Sequence, residues 1–354
     1  MSTFLSKRYE TLTPYTPGEQ PQDQSYVKLN TNESPFPPSP LAQRLARQAA
    51  GDLQLYSDPE LRKLVPIAAE ALGVKPGQIL FSNGSDEMLN YAFMAFCDED
   101  TPAVFPDITY GFYPVFAQIN RVPYMEIALT EDFHIDPKSF FGARGTLFIA
   151  NPNAPTGLAL SLEEIESIVK ENKENVVVID EAYVDFGCES AAGLVNEYDN
   201  LLVIQTCSKS RSLAGGRLGF AIGCEELIRD LNTIKYSTNP YNVNSMTMWA
   251  GIGAFLDKEY FEKCTGEIIK VRNYTKNALE KMGFVCLDSK SNFLFAKHKE
   301  IDGEFLYKRC KEKGVLVRHF SLEKIKDYNR ITIGTKEQMD IFLTTVKDIL
   351  EEQR

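Results

Sequence analysis

Apolar positions along the chain follow two rhythms. Short unbroken apolar runs recur at 79–81 (ILF), 103–105 (AVF), 147–150 (LFIA), 176–179 (VVVI), 201–204 (LLVI) and 218–222 (LGFAI). Runs of this length, bounded by Gly, Pro, Asn or Asp, read as buried strands. Between them, apolar residues return every three or four positions, which predicts helices over 41–50, from near Glu60, from Ser85 to Phe96 and over 160–175. Met88, Leu89, Ala92, Phe93 and Phe96 form the stripe of the third, and Ser161 with Glu164 gives the fourth a capping box. Beyond 223 the pattern is helical, and the stretch from Pro240 to Gly283 is long enough to bridge two domains. Short strands then surround a helix at 303–313, an α+β unit that residues 1–40 would complete. Those first residues are rich in Pro, Thr and Ser. Pro35, Pro37, Pro38 and Pro40 forbid a helix there, so the segment reads as an irregular arm that must lie against the rest of the chain to be ordered.

Polar residues that interrupt this pattern carry the candidate chemistry. Between the runs at 201–204 and 218–222 stand Thr206, Ser208, Lys209 and Arg217. A lysine held between two buried segments is costly to keep charged, so desolvation is expected to lower its pKa and make it a nucleophile toward aldehydes. Arg217 offers a fork suited to phosphate, and the two hydroxyls add donors. Amine, hydroxyls and guanidinium together suit a phosphorylated aldehyde such as pyridoxal phosphate. Gly84 and Ser85 form a turn at a helix start, where free N–H groups attract anions. Asp180 directly follows the run Val176 to Ile179, at the strand end where α/β proteins bind ligands.

Composition narrows the class. The 354 residues suit about two domains and a full core. A formal net charge of −11 argues against nucleic-acid and anionic-membrane partners. The N-terminal residues have no apolar signal region, and no segment is long enough to span a bilayer. Seven scattered cysteines without a C-x-x-C point to a reduced cytoplasm, and the three histidines, His134, His298 and His319, are each isolated. They also argue against a metal site or a Ser-His-Asp triad. Neither G-x-G-x-x-G nor the Walker phosphate loop occurs.

Eight stretches, taken in chain order, resemble the fold-type I pyridoxal-phosphate aminotransferases, and within them the histidinol-phosphate aminotransferases. LTPY at 12–15 and LNTNESPFPPSP at 29–40 are similar to the start of that group. YSDPE at 56–60, NGSDE at 83–87, ANPNAPTG at 150–157, DEAY at 180–183, SKSRSLAGGRLGF at 208–220 and RITIGT at 330–335 follow. The resemblance implies an α/β fold with a three-layer large domain, a mainly parallel central sheet and a smaller α+β domain. It divides the chain into an arm (1–40), a pyridoxal-phosphate domain (41–245) and a small domain (246–354). It implies that Lys209 binds the cofactor covalently and moves protons, that Asp180 holds the ring nitrogen and that Tyr183 touches the phenolic oxygen. Tyr110 is implied to stack on the ring. Gly84, Ser85, Asp86, Thr206, Ser208 and Arg217 would hold the phosphate, with Tyr56 reaching over from the other subunit of a homodimer. Ala154 stands where the family places an asparagine donor, which leaves Asn153 as the nearest substitute. Tyr15, Arg318 and Arg330 would meet the substrates, L-histidinol phosphate and glutamate or 2-oxoglutarate, in histidine biosynthesis. A threonine-phosphate decarboxylase, an aromatic aminotransferase and a catalytically silent binding protein of the same fold stay open at this point.

Overall fold

The computed structural model describes residue 2 and residues 4–353. Its strands are β1 (Val27–Lys28), β2 (Ile79–Ser82), β3 (Ala103–Pro106), β4 (Tyr124–Ile127), β5 (Thr146–Ala150), β6 (Val177–Asp180), β7 (Leu201–Thr206), β8 (Gly219–Gly223), β9 (Phe284–Cys286), β10 (Phe293–His298), β11 (Val315–Leu316), β12 (Arg318–His319) and β13 (Asn329–Thr332). Its helices are α1 (Pro40–Ala49), α2 (Leu64–Leu72), α3 (Ser85–Phe96), α4 (Tyr113–Asn120), α5 (Leu162–Lys170), α6 (Glu225–Thr238), α7 (Ser245–Leu256), α8 (Lys258–Lys281), α9 (Gly303–Glu312) and α10 (Lys336–Glu352). Pro40, which ends the irregular arm, occupies the first turn of α1, where its missing N–H costs nothing; Ser39 Oγ caps the same turn by accepting Ala42 N at 3.1 Å. The capping box of α5 forms as the letters suggest, with Ser161 and Glu164 bonding each other's backbone N–H.

Seven strands make one sheet in the order β2-β8-β7-β6-β5-β3-β4, with β8 antiparallel to both neighbours and the rest parallel. The apolar runs are buried on both faces. Val177, Ile179, Leu201 and Val203 enter one core, and Val178, Leu202 and Ile204 enter the other. Helices cover both faces, so the unit has three layers. The chain returns from β7 to β8 through the lysine segment, and β8 then runs close to α3. A Cβ on Gly219 would lie 2.3 Å from Ser85 N, so only glycine fits where this strand passes the helix start.

The smaller unit is an antiparallel sheet, β12-β13-β10-β9, with α8, α9 and α10. Leu29 of the arm is fully buried in its core with Leu294, Leu306 and Phe342, and β1 pairs in parallel with β11 in the register Val27↔Val315. The expected division at residue 245 needs one correction. Helix α7, expected in the small domain, packs on α1, and its Met248, Ile252 and Phe255 belong to the large unit's core. Gly253 makes this possible, since a Cβ there would lie 2.5 Å from Ala42 Cα. The small unit therefore takes its helices from α8 onward.

Candidate active site

The carboxyl ends of β5, β6 and β7 open into a cavity of about 230 Å³. Its floor is Ala150, Asp180 and Thr206, its sides are Ser85 and Asp86 at the start of α3, and its far wall is Arg318 and Arg330 of the small sheet. Arm residues Tyr15, Pro17, Gly18, Asn30, Thr31 and Asn32 close it. The site thus draws on both units and the arm, as expected for a ligand site at parallel strand ends.

Lys209 follows β7 by three residues and points into this space. Its Nζ reaches a backbone carbonyl, Thr31 O at 3.5 Å, and not a carboxylate. Burial, reinforced by the Arg330 cation, holds its ammonium down to about 8. Asp180, the last residue of β6, is 4 % exposed and accepts Tyr113 Oη at 2.9 Å and Ala182 N at 3.2 Å. Burial pushes its carboxyl up to about 6, against the pull of those two donors. Tyr183 Oη accepts a hydrogen bond from Asn32 Nδ2 at 2.9 Å, and its ring stands edge-on to Phe293.

At the start of α3, Gly84 adopts φ +85°, and a Cβ there would lie 2.5 Å from Arg217 Nη2. Arg217 pairs with Asp86 Oδ2 at 2.9 Å, and Tyr110 Oη donates to Asp86 Oδ1 at 2.6 Å. Thr206 and Ser208 hydroxyls face each other at 2.9 Å beside them. Helix N–H groups, two hydroxyls and a guanidinium converge here, an arrangement suited to a phosphate.

Arg330 lies opposite, between Phe293 and Phe320, with its carbon centre 5.3 and 5.7 Å from the ring centroids. Its Nη2 donates to Asn30 O at 3.1 Å, while its buried Nε has no partner among the described residues. Burial lowers its pKa from the ordinary arginine value. A buried, unpartnered guanidinium donor marks a place for an anion. Arg318 instead donates to the arm, to Pro17 O at 3.1 Å and Thr16 O at 3.0 Å. Tyr15 stacks on Phe112 at 4.4 Å.

Two expected residues lie elsewhere. Tyr56 is 83 % exposed and stacks on Tyr241, outside the cavity. Asn153 is buried but turned away: its Nδ2 donates to Ile108 O and Thr156 Oγ1, and its Oδ1 accepts Thr109 Oγ1, so no side-chain donor is left for the cavity. Its internal bonds fix the loop after β5, and Pro152 and Ala154 face the cavity in its place. Tyr113 and Asn32 are the residues that sequence reasoning did not single out. An aromatic on an apolar helix face reads as core, and Tyr113 is indeed fully buried. Its hydroxyl partner lies 67 residues away, which no local pattern reports.

These residues fit pyridoxal phosphate. The set supplies an amine whose ammonium is held down to about 8, an anion cradle with free donors, a strand-end carboxylate and a second cationic wall. A family model described as aminotransferase class I and II matches residues 24–346. A histidinol-phosphate aminotransferase of Brachyspira hyodysenteriae is 49% identical over 353 residues, 99% of this chain and 100% of that protein. One from Clostridium botulinum (strain Okra) is 45% identical over the same length, again with 99% and 100% covered. The crystal structure of histidinol-phosphate aminotransferase from Sinorhizobium meliloti, in complex with pyridoxal-5'-phosphate, shares the fold with a TM-score of 0.90. It covers 100% of this chain and 99% of that one, at 20% identity.

Proposed function

The chain belongs to the aminotransferase class I and II family, and from that premise we propose that it transfers the amino group of L-histidinol phosphate to 2-oxoglutarate, with pyridoxal phosphate as cofactor, in histidine biosynthesis. The names borne by full-length relatives at 44–49% identity support this substrate. The observation that carries the reading is the cavity's two groups of cations from different units. Arg217 with the start of α3 serves one phosphate, and Arg318 with Arg330 serves a substrate anion.

In this reading Gly84, Ser85, Asp86, Thr206, Ser208 and Arg217 form the phosphate end of the cofactor site. Tyr110 would lie against the ring, Asp180 would serve its nitrogen and Tyr183 its phenolic oxygen. When bound, pyridoxal phosphate supplies an aldehyde that condenses with amines and a ring that takes up the electron pair released at the substrate carbon. Lys209 Nζ, close to neutrality in its titration, removes and returns the proton of that carbon. Asp180 keeps its negative charge beside the ring with the help of the Tyr113 hydroxyl. Arg330 and Arg318 orient the phosphate of one substrate and the carboxylate of the other, since a guanidinium fork accepts either. Tyr15 and the arm exclude water.

The same reading takes the active form as a cytoplasmic homodimer. Leu53, Leu55 and Tyr56 stand 53 %, 65 % and 83 % exposed side by side in sequence, a strip that a second copy would cover while placing Tyr56 at the neighbouring phosphate site. Seven free cysteines agree with a reducing compartment. A substrate panel tests the function. Histidinol phosphate with 2-oxoglutarate should give the highest kcat/KM; carbon dioxide release from phosphothreonine, or a preference for an aromatic amino acid, would overturn the assignment.

A further inference from the structure

Three consecutive arm residues each hold a different side chain of the cavity. Asn30 O accepts Arg330 Nη2, Thr31 O accepts Lys209 Nζ, and Asn32 Nδ2 donates to Tyr183 Oη. The third contact has a direction, and the direction decides what Tyr183 can do.

Asn32 is 1 % exposed and adopts φ +56°, a left-handed conformation that asparagine tolerates better than most residues. Its backbone N–H donates to Thr332 Oγ1 at 3.0 Å, and the Thr332 hydroxyl donates back to Asn32 Oδ1 at 2.9 Å. Its carbonyl accepts Asn292 Nδ2 at 3.0 Å. With Oδ1 committed to Thr332, the amide nitrogen is the end that faces Tyr183. Tyr183 Oη therefore accepts from the protein, and among the described residues its own hydrogen meets no acceptor. That hydrogen is left for the cavity. Thr332 is anchored in turn by β13, whose Thr332 N donates to Leu29 O at 2.9 Å.

We propose that Asn32 is a positioning residue which, with Thr332, turns the Tyr183 hydroxyl so that it donates into the cavity. This rests on the pyridoxal-phosphate reading above, in which Tyr183 meets the cofactor's phenolic oxygen. The side-chain type is decisive. Aspartate has the same shape and tolerates the same backbone, yet it offers only acceptors and would draw the Tyr183 hydrogen to itself. Glycine keeps the backbone and its bond to Thr332 but leaves the hydroxyl free to rotate.

The test reads the visible band of the cofactor-loaded protein as a function of pH. A donor to the phenolic oxygen stabilises its negative charge, and that charge helps hold the chromophore's proton. Loss of the donor therefore raises the midpoint. Tyr183→Phe and Asn32→Asp are both expected to raise it by about one pH unit, a roughly tenfold gain in proton affinity, and Asn32→Gly by less. An unchanged midpoint in both Asn32 variants, with Tyr183→Phe shifted, overturns the proposal. So does an unchanged midpoint in Tyr183→Phe. Should Asn32→Asp not fold, Asn32→Gly decides alone, a wild-type midpoint counting against. If wild-type protein acquires no visible band at all, the cofactor reading itself has failed, which is a different result.

Discussion

At the scale of single residues, the cavity works by removing water from charged groups. With its ammonium near 8, Lys209 is about one-tenth neutral at pH 7, against roughly one part in three thousand at an ordinary 10.5. Uptake of pyridoxal phosphate by the cofactor-free protein should therefore accelerate as pH rises through about 8. Borohydride should then fix the cofactor's mass on the peptide containing Lys209, and label on another lysine would refute the assignment. Asp180 makes a two-sided prediction. Its carboxyl titrates at about 6 in the fold and 3.8 in an open chain, so the fold binds this proton more tightly. Its contribution to stability is full below the lower value and is lost as pH rises through the upper one, a difference of about 3 kcal/mol. Asp180→Asn should raise the melting temperature of the cofactor-free protein at pH 8 and leave it unchanged at pH 4. It should also lower kcat at least about a hundredfold, roughly 2.7 kcal/mol, for want of a charge at the ring nitrogen. Calorimetry at both pH values with a rate measurement checks both arms; a slower enzyme with no gain in stability would mean that the carboxylate is not paying for its burial. Lys209 and Asp180 were legible in the sequence because each breaks or ends an apolar run. Asn32 and Tyr113 were not, because their roles depend on hydroxyl and amide partners far along the chain.

At the scale of elements, β8 and β13 carry constraints that reach the cavity. Gly219→Ala places a methyl against the backbone of Ser85, so β8 and the start of α3 must separate. About 1–3 kcal/mol of stability should be lost, and the dissociation constant for pyridoxal phosphate should rise more than about tenfold, both measurable by thermal melts with and without cofactor. Strand β13 presents Arg330 to the cavity, flanked in register by Arg318 of β12. Arg330→Lys loses the fork and should weaken both half-reactions by roughly 1.5–3 kcal/mol each while the visible band stays intact. Single-turnover rates with histidinol phosphate and with glutamate decide this; damage confined to glutamate would leave the phosphate substrate unsupported. Six of the seven strands of the large sheet could be read from their unbroken apolar runs; the edge strand β4, whose Tyr-Met-Glu-Ile includes a charge and is mostly exposed, could not. Helix α7 could be found but not placed, since apolar spacing continues from α7 into α8 and the packing of Gly253 against Ala42 is a long-range fact.

At the scale of the whole molecule, the exposed strip at Leu53–Tyr56 makes the dimer testable. Chains carrying Tyr56→Ala or Lys209→Ala should each be impaired, yet a hybrid of the two holds one complete site if Tyr56 serves its neighbour. Random exchange makes half the dimers hybrid, so mixing should restore up to about a quarter of wild-type activity. No gain on mixing would place each site within one chain. The pairing of β1 with β11 reaches further, into how the protein is made. Val27 and Val315 are 288 positions apart (315 − 27). At synthesis rates of about 5–20 residues per second, the arm waits roughly 15–60 s on the ribosome for its partner strand. During that interval Lys209 has emerged without the carbonyl that Thr31 gives it, and Tyr183 without the amide of Asn32. In the nascent chain the Lys209 amine is hydrated and protonated in an unfinished setting, and the desolvation that lowers its ammonium is complete only as the arm docks.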